Sequence, residues 1–147
     1  MTHHAEEVYP AECCGLLLGR QDLATDNRWV HELRPLENQW TPEVNPFDDR
    51  DVVTPVSQDN RYWIDPRSLM TAQRDGRDLG WIILGVYHSH PDAPAVPSER
   101  DRQLAWSSYS YPILSVIGGQ AAEIASWRLD NSEQFCVEAI VTQTSIS

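Results

Sequence analysis

Apolar positions along this chain cluster in short runs broken by glycine, proline and aspartate. Residues His3 to Tyr9 read as the end of a helix, closed at Pro10. Ala11-Glu12-Cys13-Cys14-Gly15-Leu16-Leu17-Leu18-Gly19 reads as a buried strand bounded by glycine. Trp29 to Leu33 alternates weakly and predicts a second strand. From Pro35 to Asp59 the pattern lapses. Prolines at 35, 42, 46 and 55 and the acidic cluster Asp48-Asp49-Arg50-Asp51 predict a long irregular loop, of the kind that often carries function. Arg61-Tyr62-Trp63-Ile64 predicts a short strand. Asp65 is then an N-cap with Pro66 at the first helical position, and the helix runs to about Arg74, ended by Gly76. Gly80 turns the chain into a central strand from Trp81 to His88. Ser98 opens another helix through about Trp106, after the loop Pro91 to Pro97. Tyr111 to Ile117 is a strand followed by a turn at Gly118-Gly119. Ala121 to Arg128 and Gln134 to Val141 are two more strands around a turn at Asp130-Asn131. Strands mixed with two or three helices, without internal repeats, predict an α/β (α+β) layered fold.

Size and charge narrow this picture. At 147 residues the chain is expected to form one domain, residues 1–147, with a proper core. No apolar run approaches the roughly 18 residues that a spanning helix needs. The first residues lack a basic segment followed by an apolar one, so the expected compartment is the cytoplasm. The net charge is -11 and all 11 basic residues are arginine. An acidic surface disfavours nucleic-acid backbones and anionic membranes and suits basic partners, and it equally reads as a device for solubility in a salty cytosol. A chain without lysine cannot itself carry a lysine isopeptide. Three cysteines, two of them adjacent (Cys13, Cys14 and Cys136), do not make a disulfide framework and fit a reducing compartment.

The candidate chemistry lies in His88-Ser89-His90-Pro91 and Pro97-Ser98-Glu99-Arg100-Asp101. Side chains alternate along a strand, so His88 and His90 share a face. Two imidazoles on one face, with a carboxylate from the next element, would give three protein ligands and leave a fourth position for water. Ser98 and Asp101 also fit an S-x-x-D capping box, one turn apart. Glu12 enters an apolar run, where a carboxylate is either a solvated strand end or a general base beside a metal-activated water. Taken singly, H-x-H can also be an ordinary pair of sheet residues. Cys13 or Cys14, activated by His88, is a rival nucleophile, although both also read as small buried residues.

In combination, E…H-x-H-P…S-x-x-D resembles the JAMM (MPN-plus) metalloproteases, and most of all their small bacterial branch, whose members often act with sulfur-carrier proteins of ubiquitin-like fold. The matching segments are Pro10 to Gly19, Tyr62-Trp63-Ile64-Asp65-Pro66, Gly85 to Pro91 and Pro97 to Asp101. Zinc deaminases need H-x-E with P-C-x-x-C, and neither occurs here. The resemblance implies a mixed central β-sheet flanked by helices, cytidine-deaminase-like in arrangement. It implies one catalytic Zn2+ held by His88, His90 and Asp101. Glu12 would be the general base, and Ser98 the hydrogen-bond donor to the tetrahedral oxyanion. The implied activity is hydrolysis of a peptide or isopeptide bond at the C-terminal tail of a ubiquitin-like sulfur carrier or its amino-acid adduct. A non-catalytic MPN-type interaction scaffold is the alternative. Ser89, on the opposite face, is expected to be structural, and the loop Asn38 to Asn60 to face substrate.

Overall fold

A computed structural model describes residues 1–50 and 52–143 of the chain; Asp51, the last member of the acidic cluster, lies outside them. Helix α1 (Thr2–Val8) leads into β1 (Cys14–Gln21) and β2 (Arg28–Leu36). A long connection containing one 3-10 turn (Pro42–Val44) leads to α2 (Pro66–Leu79). β3 (Ile82–Pro91), α3 (Glu99–Leu104), β4 (Tyr111–Ile117), β5 (Gln120–Leu129) and β6 (Phe135–Glu138) follow. The strands form one mixed sheet in the order β2-β1-β3-β4-β5-β6. Only β3 and β4 pair in parallel, and α3 lies in the crossover between them.

The apolar run of β1 does not alternate because the sheet is covered on both faces. Leu17 packs with Leu84, Tyr87, Leu114 and Ala5 on the α1 side. Leu16 and Leu18 pack with Ile83, Val86 and Ala72 on the α2 side. Gly85 of β3 has a specific reason to be glycine: a Cβ there would run into the Ser110 carbonyl, and Val86 N–H donates to that same carbonyl at 3.0 Å.

Several sequence expectations change. The last strand, expected from Gln134 to Val141, ends at Glu138, and residues 139–143 lie outside the ladder. Helix α2 does not stop at Gly76 but continues to Leu79. Gly76 is buried where the helix approaches Trp81 and Leu18, so its missing side chain serves packing. The turn falls to Gly80, which takes the left-handed conformation (φ 70°) that ends helices readily. Residues 61–64 form no strand; Trp63 bonds instead to the Asn38 side chain and the Gln39 backbone. Helix α3 spans six residues, ending before Ala105. The Asp65 cap appears as expected, with its carboxylate accepting from Arg67 N–H at 2.8 Å.

Candidate metal centre

The end of β3 and the start of α3 converge. His88 and His90 project from one face of β3, and their Nε2 atoms lie 3.0 Å apart. Asp101, in the first turn of α3, brings Oδ1 to 3.3 Å from His88 Nε2 and Oδ2 to 3.3 Å from His90 Nε2. His90 Nδ1 donates to the Pro94 carbonyl at 2.9 Å, which fixes the tautomer and turns the Nε2 lone pair inward. Two imidazole nitrogens and a carboxylate facing one point make a group that could hold a metal ion. One ligand atom from each of the three residues lies within 4.8 Å of the others, and this nitrogen and carboxylate donor set suits a divalent ion such as zinc.

Asp101 has a second task. Ser98 N–H donates to its Oδ2 at 2.8 Å, and Ser98 Oγ accepts from Asp101 N–H at 3.1 Å, completing the capping box. The cap uses the serine oxygen as acceptor and leaves its O–H free to donate. Burial pushes the Asp101 carboxyl upward, but His88 and His90 reverse this and hold it well below the usual range. Burial lowers His90, and the Asp101 carboxylate more than offsets it, raising the imidazole.

Glu12 lies just ahead of β1, outside the strand ladder, and is 8% exposed. Its backbone is gripped from both sides. Glu12 N–H donates to the Gln58 carbonyl at 2.8 Å, and Asn38 Nδ2 donates to the Glu12 carbonyl at 3.1 Å. The next peptide is tied to the histidine strand itself: Ser89 Oγ accepts from Cys13 N–H at 2.8 Å, and Ser89 N–H donates to the Cys13 carbonyl at 3.2 Å. Burial pushes the Glu12 carboxyl well above its ordinary value. Asp101 adds to that, and Arg61 partly opposes it.

A cavity of about 340 Å³ opens between the 38–60 connection and α3. Glu12, His90, Ser98 and Asp101 supply its polar wall, and Trp40, Phe47, Val96 and Leu104 an apolar one. Asp49 clamps the connection in place. It accepts from Arg61 at 3.2 Å, from Arg100 of α3 and from Asn45 Nδ2 at 2.7 Å. The Phe47 ring lies 5.5 Å from the Arg100 guanidinium carbon.

Of the rival nucleophiles, both Cys13 and Cys14 are buried. Burial pushes the Cys13 thiol up and the Cys14 thiol to about 12, which disfavours the reactive thiolate. Sequence reasoning assigned no site role to Asn38, Asp49 or Tyr62, although Asn38 drew notice as a polar residue and Tyr62 falls in a matching segment. Asn38 bonds four backbone groups, of Glu12, Arg61, Trp40 and Trp63. Tyr62 stacks on His88 with ring centroids 4.7 Å apart.

Known proteins share this architecture. Residues 1–130 match the Prok-JAB family, described as prokaryotic homologs of the JAB domain. The chain is 30% identical to a desampylase of Haloferax volcanii over 131 residues, covering 87% of this chain and 78% of the relative. It is 32% identical to a probable TtuB-protein conjugate cleaving protease of Thermus thermophilus, covering 80% and 65% of the two chains. A solution structure of a Desulfitobacterium hafniense protein superposes with a TM-score of 0.71 at 34% identity, covering 95% of this chain and 83% of that one. A Salinibacter ruber protein does so at 0.64 and 27%, covering 98% and 86%. The family match over residues 1–130 and the 30% identical relative settle the family: the chain belongs to the Prok-JAB family of prokaryotic JAB-domain homologs.

Proposed function

We propose that this chain is a zinc-dependent hydrolase of JAMM type. Its substrate is a peptide or isopeptide bond after the C-terminal tail of a ubiquitin-like sulfur-carrier protein. The observation that carries this reading is the convergence of the buried Glu12 carboxylate, the Ser98 hydroxyl and two members of the His-His-Asp group, His90 and Asp101, on one cavity, with His88 directly behind them. The names of two relatives, a desampylase and a protease acting on protein conjugates, favour conjugate cleavage over other hydrolysis.

His88, His90 and Asp101 would hold the zinc, whose Lewis acidity makes a water a better nucleophile near neutral pH. Glu12 takes the proton as water oxygen attacks the scissile carbonyl carbon. Its raised carboxyl is suited to accept that proton and pass it to the leaving amine nitrogen as the C–N bond breaks. Ser98 O–H donates to the oxygen on which negative charge develops. The apolar wall keeps bulk water from the bond, and a glycine-ended tail is the chain most able to bring its backbone close. The acidic surface suits a basic face on the carrier. A cytoplasmic setting is part of this proposal.

The test is mass spectrometry of a fusion joined through the C-terminal glycine of a ubiquitin-like carrier, before and after exposure to zinc-loaded protein. The expected product ends at that glycine. Glu12→Gln should retain zinc and lose roughly 10²–10⁴-fold in turnover. Equal processing by wild type and Glu12→Gln would overturn the mechanism.

A further inference from the structure

The two histidines of the cluster are oriented by different means. His90 is fixed by its hydrogen bond to the Pro94 carbonyl. His88 is deeply buried, and its Nδ1 has no protein partner among the described residues. A metal-binding imidazole ordinarily donates its second N–H to an acceptor that sets the ring plane and tautomer. What His88 has in that place is a ring: Tyr62 lies against its face at 4.7 Å between centroids and 26° between planes.

Tyr62 is itself held firmly although it belongs to no strand. The peptide on its N-terminal side is anchored by Asn38 Nδ2, which donates to the Arg61 carbonyl at 2.8 Å. On its C-terminal side, Trp63 N–H donates to Asn38 Oδ1 at 3.2 Å, and the Trp63 carbonyl accepts from Gln39 N–H at 2.9 Å. A side-chain amide thus grips the backbone on both sides of the stacking residue.

We propose that Tyr62 is the positioning residue of His88, setting the imidazole plane by ring stacking where His90 uses a hydrogen bond. The hydroxyl is not the operative group; the flat face is. Tyr62→Phe therefore keeps the function, whereas Tyr62→Leu and Tyr62→Met, which keep an apolar side chain but no ring, remove it.

The inference rests on the zinc reading above, and zinc affinity, measured by competition with a chromophoric chelator in the absence of substrate, tests the two separately. A wild-type chain that fails to bind zinc sinks that reading. Given wild-type binding, Tyr62→Phe is expected within about threefold of it, and Tyr62→Leu and Tyr62→Met 10–100-fold weaker. Folded Leu and Met variants that bind like wild type would overturn only the positioning role, as would a Phe variant as weak as Leu. A readout on unmutated, metal-free protein covers the case in which both Leu and Met fail to fold. Ring-proton resonances of His88 should be shifted upfield by the tyrosine face while those of His90 are not, and a His88 at ordinary shifts would overturn the proposal.

Discussion

Glu12 shows how one residue trades stability for chemistry. Its folded pKa is raised, so the folded state holds the proton more tightly than the unfolded chain does. The associated stability is present below the unfolded carboxylate pKa and is lost as pH rises through the folded one. Glu12→Gln removes that loss. In metal-free protein the variant should melt above wild type at pH 8, with the gap closing toward pH 4. Thermal melts across that range check it, and a gap that widens on acidification would contradict it. Ser89 is the converse case, a residue whose worth is structural. Ser89→Ala leaves Cys13 N–H without its buried acceptor and should cost about 1–3 kcal/mol in urea unfolding. At this scale the sequence was informative where partners are near in the chain. His88 and His90 share a face by strand alternation, and Ser98 and Asp101 are one turn apart. Glu12 was legible as an oddity but not as a placed group, because Asn38, Gln58 and Ser89 hold it from 26, 46 and 77 residues away.

Among the elements, β3 and α3 do the positioning and the 38–60 connection completes the cavity. β3 can lie close against β4 because Gly85 leaves room for the Ser110 carbonyl. Gly85→Ala should destabilise the protein by more than the ~1 kcal/mol of a typical substitution, measured as a lower denaturation midpoint. The connection is held to α3 by Asp49. Asp49→Asn keeps the shape and weakens both arginine pairs, so it should raise protease sensitivity within residues 38–60 while zinc binding stays within a few-fold. Limited proteolysis beside a chelator competition separates the two effects. Segment 61–64 looked like a strand because three of its four residues are β-formers. Side-chain capture by Asn38 prevailed over that propensity. Gly76 looked like a helix stop because the pattern cannot distinguish a glycine that ends a helix from one that lets it pack closely.

Across the whole molecule, the mixture of strands and helices and the burial of β1 were legible in the apolar pattern. A nearly unbroken apolar run at β1 requires cover on both faces, and α1 and α2 supply it. The order of strands was not legible, since the parallel β3/β4 pair is made by a crossover, with no local turn signal. Zinc at a hundred times its dissociation constant should stabilise the fold by about 2.7 kcal/mol, raising the melting temperature by roughly 5–11 °C. A chelator should return it. The largest response is expected near one carboxylate. Asp101 closes the first turn of α3 with the same oxygen that faces His90, and the neighbouring Arg100 grips the connection through Asp49. Ion binding, helix initiation and the shape of the apolar wall therefore belong to one thermodynamic cycle. Whatever factor a bound ion adds to the affinity of a tail for that wall, the tail must return to the ion. If a bound ion strengthens the grip on a tail, the proposed hydrolase would hold its ion more tightly with a tail in place than without one.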